Sequence, residues 1–358
     1  MVRLAPRHLA DLDPAGRRAW AQELGYPGMR AAQLATHYFG HLTADPAAMT
    51  DLPAGTRAEL AATFLPPLLT PVAQQVADGG RTVKTLFHLH DGIAIETVTM
   101  AYPDRVTVCV SAQAGCGMGC PFCATGQLGL QRNLSAGEIV EQVRQAAALA
   151  RDRDLGRLSN VVFMGMGEPL ANYSAVARSL RAISEAPPAG LGISARNLTV
   201  STCGLVNGIG RLAAEGLPVR LAVSLHAPDD ELRDRLVPVN RRWPISQVLR
   251  AAHGYFAASG RRVSVEYALI RDINDQQWRA SLLAERLTHY GTGWVHVNPI
   301  PLNPVAGSVW TASRPEAENA FVETLRRAGL TVTLRDTRGR EIDGACGQLA
   351  AKEAKANG

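Results

Sequence analysis

From residue 135 onward the chain repeats one pattern, a short β-branched run followed by an amphipathic stretch and then another run. SNVVFMG, NLTVST, VRLAVSLH, VSVEYALI and WVHVNPI are the runs, and segments such as EIVEQVRQAAALA and WRASLLAERL carry apolar residues at helical spacing around and between them. Strand followed by helix, repeated, specifies a parallel sheet or a barrel. Ser135-Ala136-Gly137-Glu138 ahead of Ile139 predicts a capping box, so the first helix of the series starts there.

The rest of the chain divides around that body. Over residues 1–72, HLADLDPAGRRAWAQEL and MRAAQLATHYFGHL predict helices, Tyr26-Pro27-Gly28 separates them and Pro66-Pro67 closes a small all-helical domain. Residues 73–101 change character: TVKTLFHL and AIETVTM, split by Asp91-Gly92, predict hairpin-like strands, and RVTVCVS follows Pro103-Asp104. The main body is expected over 102–347, with residues 348–358 a mobile tail.

Cys116, Cys120 and Cys123 form a CxxxCxxC triplet in AGCGMGCPFCATG, ahead of the capped helix. A 4Fe-4S cluster normally takes four thiolates, so a tight triplet with no fourth cysteine directly after it leaves one iron open for a small ligand. Gly115, Gly117 and Gly119 let the backbone curl round such a group. The plain alternative is a structural zinc site with Cys109 as fourth ligand, but C-x6-C-x3-C-x2-C departs from the paired CxxC knuckles of zinc. A dinucleotide loop fails, since it needs glycine where Cys120 stands.

Six cysteines in 358 residues do not look like a secreted disulfide framework. No apolar run approaches membrane-spanning length, and MVRLAPRHLADLD interrupts its apolar residues with Arg, His and Asp, so a cytoplasmic protein without membrane contact is the expectation. The net charge of +5 is a mild excess carried almost wholly by arginine, with Lys84, Lys352 and Lys355 the only lysines among 37 basic residues. Guanidinium groups suit phosphates and unstacked bases, although a biased genome composition explains the same count.

Other candidates stand at strand ends, where barrel folds gather their catalytic loops. Gly165-Met166-Gly167-Glu168-Pro169 offers bare backbone and a carboxylate that can accept from an ammonium or hydroxyl; taken alone it reads as a tight turn. Ser201, Ser224-Leu225-His226 and Asn303 place polar groups at other strand ends, and His226 alone reads as a structural histidine. Glu96 in the apolar AIETVTM is a general base if desolvated and otherwise a solvent-facing strand residue. Cys346, between small residues in GACGQL, is a thiol that a loop can carry to a buried site, and Cys203 reads as packing.

Together, GYPGMRAAQL, CVSAQAGCGMGCPFCATGQLGLQRNL, GMGEP, VSLHAP, NPIPLNP and RGREIDGACGQL resemble the radical S-adenosylmethionine superfamily and, within it, the RlmN family of RNA adenosine methyltransferases, with Cfr as a near relative. CxxxCxxC marks only the superfamily; Cys109 seven residues ahead of it, with Cys346 in GACGQL, marks the branch. The resemblance implies an α/β fold, a partial (β/α)6 barrel open on one side and preceded by a small helical RNA-contacting domain. It implies a 4Fe-4S cluster on Cys116, Cys120 and Cys123, with S-adenosylmethionine on its open iron and in contact with Gly167, Glu168, Ser201, Ser224, Leu225, His226 and Asn303. It also implies that Cys346 carries the methyl group, that Cys109 releases the product through a transient disulfide, and that Glu96 accepts a proton. Two molecules of S-adenosylmethionine per turnover and an external electron donor belong to the same picture.

The implied substrates are one adenosine of 23S rRNA and the adenosine 3′ of the anticodon in some tRNAs, methylated at carbon 2 by a monomeric enzyme. Cfr-type chemistry at carbon 8 uses the same motifs, and the alternative from a different class is a non-catalytic metal-binding, RNA-binding module. One departure from the family pattern is Cys203, near the cofactor where a serine or other small residue would also fit.

Overall fold

A computed structural model describes residues 5–350 apart from 304, 306, 307, 336 and 337. The strands among them are β1 (Leu69–Ala77), β2 (Thr82–Leu89), β3 (Ala94–Ala101), β4 (Val106–Cys109), β5 (Gln113–Gly115), β6 (Leu130–Asn133), β7 (Leu158–Phe163), β8 (Leu198–Thr202), β9 (Arg220–Ser224), β10 (Val263–Leu269), β11 (Val295–Pro301) and β12 (Thr331–Val332). Ten of them make one sheet in the order β1-β2-β3-β4-β7-β8-β9-β10-β11-β12, and β5 pairs with β6 in a separate ribbon.

From β4 through β7, β8, β9, β10 and β11 each neighbour is parallel. Helices over Ala136–Asp152, Tyr173–Ser184, Val206–Ala214, Ile245–Ser259 and Gln277–Thr288 make the crossovers. The six strands do not close on themselves, because the sheet runs on into β12 on one side and the antiparallel β3, β2 and β1 on the other. The expected partial (β/α)6 barrel is therefore present, with an antiparallel annex at its first edge.

Side-chain alternation explains which way each strand faces. In β10, Val263, Val265, Tyr267 and Leu269 sit in the core under the helices, so Ser264 and Glu266 face the barrel interior. The helix from Ala136 begins with the predicted capping box: Ser135 Oγ accepts the Glu138 N–H at 3.1 Å, and the Glu138 carboxylate accepts the Ser135 N–H at 2.8 Å.

The N-terminal helices, Pro14–Glu23, Met29–Ala35 and Arg57–Phe64, have no core of their own. Leu34, Tyr38, Phe39 and Phe64 belong to the same apolar cluster as Ile139, Val143 and Leu180 of the barrel helices. Polar ties cross the same boundary: the Tyr38 hydroxyl donates to Glu141 at 2.6 Å, and Arg144 bonds both Glu141 and the Leu42 carbonyl. A buried carboxylate without such partners would be strongly destabilising, so this network fixes the angle at which the helical unit docks. His8 is buried there too; burial pushes its imidazole down to about 4 while its Nδ1 accepts the Ala10 N–H at 3.0 Å.

Two boundaries differ from expectation. β1 begins at Leu69, so the strands start before residue 73. The tail starts later than residue 348, because Gln348 and Leu349 are buried against the body. Residues 351–358 of that expected tail lie outside the described residues.

Candidate active site

Beyond β4 the chain runs through β5, the cysteine loop and one helical turn (Ala124–Gln127), then returns as β6. Gly115 makes the crossing of the ribbon possible: at φ +73°, a Cβ on it would lie 1.9 Å from the Gly129 carbonyl oxygen. The neighbouring Cys116 N–H donates to that oxygen at 2.9 Å, which fixes the start of the loop. Gly119 also takes a positive φ, whereas Gly117 does not.

Cys116, Cys120 and Cys123 line a cavity of about 980 Å³ at the C-terminal ends of the barrel strands. Burial pushes the Cys116 thiol up to about 11 and raises Cys120 and Cys123 as well, and repulsion from neighbouring thiolates adds to the shift at Cys116 and Cys120. Three thiolates in this setting require the positive charge of bound metal. Among the described residues no three His, Cys, Asp or Glu side chains converge to hold one ion. Three thiols on one tight loop facing one cavity fit the separate corners of an iron-sulfur cube.

The other strand ends turn toward the same cavity. Gly167 passes so close to β5 that a Cβ would lie 2.4 Å from Gln113 Cβ, and its φ is +93°. Glu168 beside it is buried, with one carboxylate oxygen accepting the Leu170 N–H at 3.0 Å and the other the Cys203 N–H at 2.8 Å. Burial holds its carboxyl above the usual range, so a cation arriving in the cavity favours the ionised form. Ser201 and Ser224 place their hydroxyls 3.4 Å apart on adjacent strands. His226 has φ +61° and accepts the Ala268 N–H on Nδ1 at 3.0 Å; burial and then the nearby Arg233 push its imidazole down to about 3, so the ring is neutral.

Asn303 supplies a direct sign of a ligand. Its Nδ2 donates to the Cys346 carbonyl at 3.1 Å, while its Oδ1 is buried in a cavity wall with no hydrogen-bond partner among the described residues. An orphaned buried acceptor is costly, and a donor on a bound cofactor would satisfy it. Leu225 is different from the rest of the expected contact set: its side chain is fully buried in the core, and only its backbone runs along the strand end, donating to the Glu266 carbonyl at 3.0 Å.

Several residues at the site were not foreseen. Arg233, fully buried, donates to the carbonyls of Cys203, Ser224 and Leu225 and to Asn240 Oδ1, tying the ends of β8 and β9 together. Glu266 lines the cavity, accepting from Ser264 Oγ at 2.6 Å, Asn298 at 3.0 Å and Arg335 at 3.1 Å. The Arg335 guanidinium also touches the Met164 sulfur; Cys346 facing it, and Glu266, favour its charged form against the cost of burial. Cys203, by contrast, stands where both sequence readings put it, packed in the apolar cluster with Phe122 and lining the cavity.

A second, smaller cavity adjoins the first and contains both Cys109 and Cys346. Cys109 ends β4 and is buried, and burial, with Cys346 adding to it, pushes its thiol up to about 12. Cys346 is exposed on a C-terminal loop, although Ala345, Gln348 and Leu349 around it are buried. That loop is fastened to the cluster loop through Ala124 N–H to Gly347 O (2.8 Å) and Thr125 Oγ1 to Leu349 O (2.6 Å). It is fastened to the sheet through Lys84 Nζ to Asp343 O (3.4 Å) and Ala350 N–H to the Glu96 carboxylate (2.9 Å). Glu96 lines neither cavity: it is buried under the loop in an ion pair with Lys84 at 3.0 Å.

Residues 110–283 match the profile of the Radical SAM superfamily, and the barrel with its cysteine loop at the strand ends makes the protein a radical S-adenosylmethionine enzyme. A protein of Bifidobacterium longum described as a probable dual-specificity RNA methyltransferase RlmN is 63% identical over 352 residues, covering 97% of this chain and 90% of that one. One of Thermobifida fusca with the same description is 62% identical, covering 98% and 96%. The crystal structure of a radical SAM methyltransferase from Sphaerobacter thermophilus superposes with a TM-score of 0.93 at 47% identity, over 97% of this chain and 100% of that one. The chain belongs to the RlmN family of radical SAM methyltransferases.

Proposed function

We propose that the protein methylates carbon 2 of adenosine in RNA, at one position of 23S rRNA and at the adenosine 3′ of the anticodon in some tRNAs. In this reading Cys346 carries the methyl group and Cys109 frees the product. RNA as substrate is supported by the relatives described as dual-specificity RNA methyltransferases. The cysteine roles are carried by one observation: an exposed thiol and a buried thiol, distant in sequence, line the same cavity beside the cluster loop.

Carbon 2 of adenine is electrophilic and has no lone pair, so a methyl group cannot reach it by simple displacement. A carrier on the protein solves this. When bound, the cluster and two molecules of S-adenosylmethionine per turnover supply a methyl group and a 5′-deoxyadenosyl radical, the cluster being reduced by an external donor. Cys116, Cys120 and Cys123 would hold the cluster, and Gly167, Glu168, Ser201, Ser224, His226, Asn303 and the Leu225 backbone would hold S-adenosylmethionine.

Cys346 accepts the methyl group and, through that carbon, becomes joined to the base. Its loop position lets it meet both the cofactor cavity and the smaller one. Cys109 then attacks the Cys346 sulfur as the thiolate: a sulfur–sulfur bond forms, the carbon–sulfur bond breaks with its electron pair left on the carbon attached to the base, that carbon takes up a proton to become the methyl group, and the remaining disulfide awaits a cellular dithiol. Burial keeps Cys109 a neutral thiol until then, which protects it from early reaction. Glu96 takes the proton leaving carbon 2; because Lys84 and the Ala350 N–H engage its carboxylate, the loop must lift as RNA enters. No helix among the described residues is long and apolar enough to cross a membrane, and we take the enzyme to act as a cytoplasmic monomer.

The Cys109→Ala variant tests the release step. Incubated anaerobically with RNA and both cofactors, it should accumulate a covalent protein–RNA adduct through Cys346; no adduct under conditions that turn over the unaltered enzyme would remove Cys109 from that role. Mass spectrometry of digested RNA should give 2-methyladenosine, and 8-methyladenosine as the main product would move the reaction to carbon 8. Anaerobic reconstitution should load about four irons and four sulfides, whereas one tightly held zinc without iron would support the metal-binding module.

A further inference from the structure

The barrel has a second mouth, at the N-terminal ends of its strands. Register places Ala222, Ser264 and His296 side by side, then Ser224, Glu266 and Asn298 one step nearer the active site. Below them a solvent-open cavity of about 1040 Å³ is lined by Arg220, Arg261, Arg262, Ser264, His296 and Asn298, with Gly260 and Thr333 at the rim. Among the described residues no carboxylate lines it. The nearest on the interior column is Glu266, already taken by Ser264, Asn298 and Arg335.

Among the described residues none of the three guanidiniums is paired with an acid; Arg261 donates to the Arg196 carbonyl at 2.8 Å, and Arg262 approaches Thr331 Oγ1 at 3.5 Å. The charges press on one another: burial, then Arg220 and Arg196, lower the Arg261 guanidinium, and burial, then Arg262, lower the His296 imidazole. Residues at the bottom of such barrels normally serve stability, and three like charges gathered in one recess do the opposite. Planar guanidinium forks beside hydroxyl and amide donors match the oxygens of a phosphate group, and the recess has room for more of the molecule that bears it.

We propose that the N-terminal mouth of the barrel is a phosphate-binding site distinct from the active site at the opposite end of the strands. The phosphate belongs either to the RNA backbone or to a free phosphorylated molecule. Both present the same oxygens to Arg220, Arg261 and Arg262.

The test uses the cluster-loaded full chain and inorganic pyrophosphate, titrated at constant ionic strength by calorimetry. Pyrophosphate should bind saturably at one site, and Arg220→Gln/Arg262→Gln should weaken binding at least tenfold. Arg151→Gln, an exposed arginine on the helix from Ala136, controls for net charge and should change nothing. A second arm measures binding of an RNA fragment containing the target adenosine. If RNA supplies the phosphate, the double variant loses RNA affinity and the slope of log affinity against log salt falls by roughly 1.4, about 0.7 per lost contact. If a free molecule supplies it, RNA affinity is unchanged and only pyrophosphate binding is lost. Absence of saturable pyrophosphate binding together with unaltered RNA affinity overturns the proposal, as does equal pyrophosphate binding by the double variant.

Discussion

Replacing Lys84 by methionine is expected to destabilise the protein by about 3–5 kcal/mol, the usual consequence of leaving one partner of a buried ion pair alone. The geometry sets that size. The Lys84 ammonium and the Glu96 carboxylate lie 3.0 Å apart, and their side chains are 9% and 2% exposed, so water cannot replace the lost cation. The Ala350 N–H at 2.9 Å on the carboxylate is a neutral donor and does not replace the charge of the ammonium. The folded-to-unfolded ratio should fall roughly a thousandfold, at about 1.4 kcal/mol per factor of ten. Urea unfolding of cluster-free protein, followed by tryptophan fluorescence, measures the change. Adding Glu96→Gln to Lys84→Met should recover most of the loss, because the cost lies in the orphaned charge and not in the absent pair. Because the same residues fasten the Cys346 loop, alkylation of the buried Cys109 should also accelerate in Lys84→Met. A variant within 1 kcal/mol of the parent, with unchanged Cys109 labelling, would refute the reasoning.

Acid should weaken the docking of the N-terminal helices. His8 sits at about 4 when folded against 6.5 when free, so the unfolded chain binds the proton first and stability is lost as pH falls from about 6.5 toward 4. The loss approaches about 3 kcal/mol, and His8→Asn, which keeps an acceptor for the Ala10 N–H, should remove that share of the pH dependence in urea midpoints. Arg233→Met should cost at least about 3 kcal/mol, since four acceptors lose a buried donor; denaturant titration and S-adenosylmethionine binding should both register it. Gly167→Ala places a Cβ 2.4 Å from Gln113 at φ +93°, so S-adenosylmethionine affinity should drop at least tenfold while iron content stays normal.

Much of this architecture is written locally. The β-branched runs VSVEYALI and WVHVNPI and the Ser135–Glu138 capping box each depend on neighbours a few residues away, and these appear in the structure as read. What escapes the sequence depends on distant partners. In DELRDRL, Arg233 looks like any member of a charged helix face, and only the packed structure buries it against three carbonyls. Glu266 reads as one polar residue in a β-branched run, because its counter-ion Arg335 comes from beyond two further helices and two further strands, after β12. The ribbon of β5 and β6 was hidden because its strands are short and pair around the glycine-rich loop. For Glu96, the solvent-facing alternative fails: the residue is buried, covered by a loop that arrives some 250 residues later, by number from Glu96 to Ala350.

The double fastening of the Cys346 loop has a thermodynamic corollary. Gly347 and Leu349 are bonded to the turn that follows Cys123, while Ala350 and Asp343 are bonded to the Glu96–Lys84 pair. Cluster retention and loop closure are then two readings of one equilibrium, and linkage is reciprocal. Whatever factor the bound cluster contributes to keeping the loop shut, a substrate that lifts the loop subtracts from the hold on the cluster. If substrate lifts the loop as proposed, the open form would leave a bound cluster more exposed to oxygen, and reclosure after product release would shield it.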